Sequence, residues 1–298
     1  MKLGLPEIGA HLLVALLWLL HWLPLPLLAA LGRGLGRLLY LLVGGRRKVV
    51  LTNLALCFPQ WDDARRRQVA RDHFACLGRS LLERGLLWWA PRERLERIIK
   101  ASGESRLREL VDAGTPVIML VPHFVALDVA GTRTALGFDV VSIYARQRNA
   151  VIDHWLRHGR SRFGDQLLQP RHESIRGTIK AMRAGRPFFY LPDMDHGRKE
   201  SIFVPFFGVP AATITGLPRF AKMARAVVVP VSVRMLPGGE GYHVDFGEPW
   251  RDFPTDDVEA DVRRQNAAIE AMVGAMPEQY YWVHRRFKTR PEGEPSVY

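Results

Sequence analysis

Five short apolar runs constrain this chain more than any other feature. They are "PVIMLV" (116–121), "DVVSIY" (139–144), "PFFYL" (187–191), "AVVVPVSV" (226–233) and "GYHVDFG" (241–247). Segments with helical spacing separate and flank them, over 103–113, 125–136, 151–162, 173–184 and 213–225, with a long one at 257–276. Continuous apolar strands alternating with helices predict an α/β fold. The sheet is expected to be mixed and mostly parallel, with helices on both faces. In such a sheet ligands bind beyond the carboxyl ends of the strands. No internal repeat or low-complexity tract interrupts the pattern.

The amino-terminal third reads differently. Leu12 to Leu31 carries no Asp, Glu, Lys or Arg, and about 20 residues of helix span about 30 Å, the thickness of a bilayer core. Pro24 and Pro26 would kink or break a spanning helix, which leaves a re-entrant anchor open. Ala29-Ala30 also fits a signal-peptide cleavage region. Arg33, Arg37, Arg46, Arg47 and Lys48 follow the segment, against Lys2 and Glu7 before it. The positive-inside rule then predicts a single amino-terminal anchor with the remainder facing the cytoplasm. "GRGLGRLLYLLVGG" (32–45) is expected to lie in or against the membrane. Residues 61–90 read as a long amphipathic helix capped by Asp62. The organisation expected is an anchor (1–32), a membrane-proximal helical region (33–102) and an α/β catalytic domain (103–298).

With 42 Lys and Arg against 30 Asp and Glu, the formal charge is +12. That favours an acidic partner. The "ARRRQVAR" run (64–71) lacks the aromatic and glycine pattern of an RNA module, so nucleic acid is not expected. Cys57 and Cys76 have neither metal-ligand nor redox spacing.

"VIMLVPHFVALD" (117–128) carries the chemistry. Pro122 ends strand pairing, and His123 emerges past the carboxyl end of a core strand. Asp128 follows five residues later, with only apolar residues between. On one continuous helix the two would lie about 140° apart, so they pair only across a loop-to-helix corner. A carboxylate on the ring would fix its tautomer and leave the other nitrogen to take a proton. Spacing alone leaves a structural pair open, and a metal pair lacks further ligands at suitable spacing. The chain has no G-x-S-x-G elbow and no cysteine near the site. The nucleophile therefore belongs to the substrate, as an alcohol or water.

"HFVALD" resembles the H-x4-D/E signature of membrane glycerolipid and lipid A acyltransferases. "NLALCFPQW" (53–61), "FFYLPDMDHGRKESIFVPFFGVPAATITG" (188–216) and "PEQYYWVHRRFKTRPEGEPSVY" (277–298) narrow the resemblance to the late lauroyl and myristoyl transferases of lipid A biosynthesis. It covers nearly the whole chain. The resemblance implies a glycerolipid acyltransferase-like fold in the bacterial inner membrane and no cofactor. It implies acyl carrier protein thioester as donor and a Kdo-bearing lipid A precursor in the inner leaflet as acceptor. It makes His123 the general base and Asp128 its orienting acid, and carries over Asp193 and Asp195 of "YLPDMDHG" as substrate-binding candidates. Relatives often place a functional Arg directly after the Tyr of the "IYARQRN" block (143–149). Here Ala145 stands there, and Arg146 or Arg148 would serve one or more places on. Arg160 is a further anion-contact candidate, with Arg157 and Arg162 beside it. Phe203, Phe206 and Phe207 are candidates for an acyl channel or for core. Thr213 or Thr215 is expected to open a helix, where anions collect. His284 competes with His123 but has no acid at short spacing.

Two other readings remain. A glycerophosphate or lysophospholipid acyltransferase shares the dyad, but its F-P-E-G-T-R type phosphate block reads "YLPDMDHG" here. A basic, non-catalytic membrane-associated binding protein would tolerate loss of His123.

Overall fold

The computed structural model describes residues 5–171 and 173–298; Lys2, used in the charge argument, lies outside them. Seven strands form a mixed, mostly parallel sheet in the order β1-β9-β8-β2-β5-β3-β4. The strands are β1 (Ile99–Ser102), β2 (Val117–Leu120), β3 (Val141–Tyr144), β4 (Leu167–Pro170), β5 (Phe188–Tyr190), β8 (Val227–Met235) and β9 (Tyr242–Phe246). Only the β8–β9 pair is antiparallel. All five apolar runs became strands, with β2 and β5 buried throughout under two covered faces and β9 buried at alternate positions. β1 and β4 are edge strands of four residues without a continuous apolar run, so periodicity did not reveal them. β1 pairs with β9, which brings residues before 103 into the sheet.

A separate antiparallel hairpin, β6 (Ser201–Phe206) and β7 (Val209–Ile214), was not expected. Its two-residue turn is Phe207-Gly208, both at positive φ (50° and 77°), as a primed hairpin turn needs. Phenylalanine at the first position hides that signal.

The helices fall close to expectation: α6 (Glu104–Asp112), α7 (Leu127–Ala135), α8 (Ala150–Arg160), α9 (Arg176–Arg183), α10 (Gly216–Ala224) and α11 (Val258–Ala275). α4 (Asp63–Trp89) is the long helix read from 61–90, and Asp62 caps it by accepting from the Arg65 N–H at 2.7 Å. α3 (Gly44–Cys57) precedes it and α5 (Arg92–Ile98) follows it.

The amino-terminal anchor is not one span. α1 (Leu5–Leu20) ends before His21, and α2 (Leu25–Leu42) restarts with Pro24 at its N-cap and Pro26 in its first turn. The prolines lie where their missing N–H groups cost nothing, so the apolar stretch breaks into two helices instead of kinking. Among the described residues only α2 is long and apolar enough to cross a membrane, and it runs through the expected boundary at residue 32. One face packs on α4 at backbone distance. A Cβ on Gly36 would stand 2.0 Å from the Phe74 carbonyl oxygen, and one on Gly78 would stand 2.1 Å from that of Gly32. Gly32 and Gly36 of "GRGLGR" therefore serve helix packing, whereas Gly34 faces open space. The other face is exposed apolar surface, including Leu27, Leu31, Leu38, Leu41 and Leu42, and it continues into Leu12, Leu16, Leu19 and Trp22.

Candidate active site

Parallel register builds the centre of the site. Leu120 of β2 pairs with Tyr190 of β5, and the Val121 N–H donates to the Tyr190 carbonyl at 2.9 Å. Each strand then runs apolar residue, proline, polar residue: Val121-Pro122-His123 and Leu191-Pro192-Asp193. Equal offsets from paired residues bring His123 and Asp193 side by side. His123 Nδ1 lies 2.6 Å from Asp193 Oδ1, and the His123 backbone N–H donates to Oδ2 at 2.9 Å. The Tyr280 hydroxyl also donates to this carboxylate. Asp193 is only 1% exposed. Burial works to raise its pKa, but the His123 ring and these hydrogen bonds outweigh it and lower the group to about 2. Asp193 is thus a buried carboxylate that fixes ring and tautomer together.

Asp128, expected in that role, is engaged elsewhere. Arg84 Nη1 of α4 donates to its Oδ2 at 2.7 Å, while Arg160 at the end of α8 donates to Oδ1 through Nε at 3.0 Å and Nη2 at 2.9 Å. Burial opposes its charge, but Arg160 and Arg84 more than offset it and hold the carboxyl well below the usual range. No hydrogen bond or ion pair joins Asp128 to His123 among the described residues. The corner that was to bring them together is occupied. Phe124 bridges to Tyr280, the Tyr281 N–H donates to the His123 carbonyl at 2.8 Å and the Val125 N–H to that of Gln279 at 2.8 Å. These bonds turn His123 toward β5. Asp128, in the first turn of α7, is left facing α4 and α8.

The carboxyl-terminal block is the floor of the site. Buried Asn53 of α3 donates to the carbonyls of Trp282 and His284, both at 2.8 Å, and accepts from the Tyr298 hydroxyl. "NLALCFPQW", "QYYWVH" and "SVY" therefore meet at one place. Asp195 lies in this frame: it accepts from the Thr289 N–H (2.7 Å) and hydroxyl (2.8 Å), and its own N–H donates to His284 Nε2 at 3.0 Å. Buried Arg286 donates to the Ala212 carbonyl and the Thr213 hydroxyl, tying down the hairpin. Burial and Arg286 lower His284 to about 4, so it is neutral at pH 7 and busy as an acceptor.

The other candidates separate. Arg146 is exposed on the loop after β3 and does not line the cavity at His123. Arg160 is a partner of Asp128. Phe206 is fully buried and Phe207 packs on Phe58, so both belong to the core. Residues that sequence reasoning missed are Tyr280, Asn53 and Arg84. The repeated apolar-Pro-polar pattern was the available signal for pairing His123 with Asp193.

A cavity of about 390 Å³ opens on His123 and is lined by Ile143, Phe189, Tyr190, Leu191, Met194 and Phe220, with Arg171 and Arg219. A narrower apolar slot beyond it shares Ile143, Phe189 and Leu191 and continues past Leu127 and Gly131 to the Asp128–Arg160 pair. No cluster of metal-ligating groups occurs among the described residues. A histidine–carboxylate pair opening on a largely apolar cavity suits chemistry on an amphiphilic alcohol.

Comparison with known proteins gives the family. The family model described as bacterial lipid A biosynthesis acyltransferase matches residues 2–289. The chain is 35% identical to the lipid A biosynthesis lauroyltransferase of Escherichia coli (strain K12), over 96% of this chain and 93% of that protein. It is 31% identical to the palmitoleoyltransferase of the same organism, over 96% and 92%. It is 33% identical to the myristoyltransferase, over 92% and 83%. The chain belongs to the bacterial lipid A biosynthesis acyltransferase family.

Proposed function

We propose that this acyltransferase moves a fatty acyl chain from an acyl carrier protein thioester to a hydroxyl of a Kdo-bearing lipid A precursor. The observation that carries the mechanism is the 2.6 Å contact between His123 Nδ1 and buried Asp193 at the mouth of the cavity. With Nδ1–H held by Asp193, Nε2 is the nitrogen that takes the proton of the acceptor hydroxyl. The oxygen attacks the thioester carbonyl carbon, and the tetrahedral intermediate collapses with C–S cleavage. The thiolate leaves as thiol with the proton that His123 carried. No acyl-enzyme forms, because among the described residues no serine or cysteine lines the cavity at His123. Asp193 stabilises the imidazolium, and Asp128 sets Arg84 and Arg160 at the end of the apolar slot, which takes the acyl tail. The +12 charge suits an acidic carrier protein and an anionic acceptor.

The exposed apolar faces of α1 and α2 hold the enzyme on the inner membrane, with Arg33, Arg37 and Lys48 at the headgroups of the cytoplasmic leaflet. The division into anchor, helical region (33–102) and catalytic domain (103–298) is a functional one; α2 and β1 cross it physically. The reaction is tested by incubating purified protein with acyl carrier protein thioester and Kdo-bearing precursor. The product gains the mass of one acyl chain; no gain with any of several donor lengths refutes the assignment. Transfer to glycerol 3-phosphate or a lysophospholipid in its place selects the glycerolipid reading.

A further inference from the structure

The far end of the His123 cavity is the start of α10. Tyr190 points into it from β5. It is 5% exposed, and its hydroxyl is buried with no hydrogen-bond partner among the described residues. A buried unpartnered hydroxyl is destabilising unless something external satisfies it. Gly216, the first residue of α10, leaves room for that hydroxyl against the helix start: a Cβ there would stand 2.1 Å from it. The N-cap Thr215 makes no side-chain cap, and Pro218 has no N–H. The N–H groups of Gly216 and Leu217 are thus beyond reach of any acceptor in their own helix. Arg219 and Arg171 line the same end, with Arg171 donating to His196 Nδ1 at 3.0 Å. Exposed Glu200 is the one carboxylate there among the described residues, so the rim keeps a positive excess.

We propose that the start of α10, Tyr190, Arg171 and Arg219 form a phosphate-ester subsite of the His123 cavity. The donors come from three elements: β5, the segment after β4, and α10. Converging donors fit a tetrahedral oxyanion better than a planar carboxylate, and a helix start adds its dipole. Two phosphates can reach it in the proposed reaction: the diester of the carrier's phosphopantetheine arm and the sugar phosphate of the acceptor. The choice of these sources rests on that reaction; the subsite itself does not.

The test is calorimetry on the full chain in detergent with paired probes: 4′-phosphopantetheine against pantetheine, and glucosamine 1-phosphate against glucosamine, with acetate as the planar anion. At least one phosphorylated probe is expected to bind about tenfold or more tighter than its parent, in line with charge-assisted bonds. The pair that shows the preference identifies donor or acceptor. Arg219→Gln should bring the preference close to unity and Tyr190→Phe should weaken it. Both variants are expected to fold, because Arg219 is exposed and the Tyr190 hydroxyl has no partner to lose. Equal binding of both members of both pairs, an undiminished preference in Arg219→Gln, or acetate binding as tightly as the phosphates overturns the subsite. Acyl transfer is measured alongside. Turnover without phosphate preference sinks the subsite alone, and preference without turnover sinks the reaction alone.

Discussion

Replacing Asp193 by Asn tests the mechanism most directly. The substitution keeps shape and volume at a position that is 1% exposed, so packing survives. What changes is charge and donor pattern. The carboxylate accepts from both His123 Nδ1 and the His123 backbone N–H, at 2.6 and 2.9 Å. An amide can accept one of these but must turn its NH₂ toward the other. Either the ring adopts the wrong tautomer or a buried N–H loses its partner. The imidazolium also loses its counter-charge; at about 4 Å and an effective dielectric of about 20, that attraction is about 4 kcal/mol. At about 1.4 kcal/mol per decade, kcat for acyl transfer should fall about 10³-fold. KM for either substrate should change little, because the carboxylate stabilises charge that arises during reaction. Mass spectrometry of the acylated product over a substrate series gives both constants, and a thermal melt verifies folding. The parallel variant Asp128→Asn, folded and saturated with substrate, should keep kcat within about tenfold, since its partners are Arg84 and Arg160. A folded Asp193→Asn enzyme with near-native kcat, beside a folded but inert Asp128→Asn enzyme, would refute the assignment.

His123→Ala is expected to lower kcat about 10²–10⁴-fold, the range of a general base, with substrate binding retained in equilibrium measurements. Asp128→Asn should instead show in the melt, at about 2 kcal/mol, because two partly exposed arginines lose a shared partner. Gly36→Leu should uncouple α2 from α4, since even a Cβ meets the Phe74 carbonyl at 2.0 Å. A loss of several degrees in Tm, or failure to extract as folded protein, is the expected result. His73, wholly buried, has a pKa lowered by burial from 6.5 to about 4. The unfolded chain therefore binds its proton first. Stability from this group is complete above about pH 6.5 and declines as pH falls toward 4, by about 3 kcal/mol. His73→Gln should flatten that stretch of the stability profile, as read by urea titrations at stepped pH.

The fold was legible because local pattern carries it. Short apolar runs of strand length, set between helical segments, read as covered strands, and Asp62, placed before a helical repeat, caps α4 as its side chain dictates. The edge strands β1 and β4 escaped because a strand with one neighbour needs no apolar signature. The β6–β7 hairpin escaped because Phe207 occupies a turn position usually marked by Asn or Gly. The membrane segment was legible as composition but not as shape. Apolarity fixes that Leu12–Leu31 avoids water. Where its prolines let it break, and which face α4 then covers, depends on the glycines that allow backbone contact.

The site divides along the same line. The residue types, and the chemistry of an imidazole past a strand end, follow from "VIMLVPHFVALD" and need no partner chain or cofactor to state. The choice of carboxylate does not follow, because sequence distance favoured Asp128 at five residues over Asp193 at seventy. Parallel pairing of β2 with β5 reverses that order, since register equates residues by their offset from the strand and not by their place in the chain. The carboxyl-terminal clasp on Phe124 then fixes which way the ring turns, and this information exists only once Tyr280 and Asn53 have folded against it.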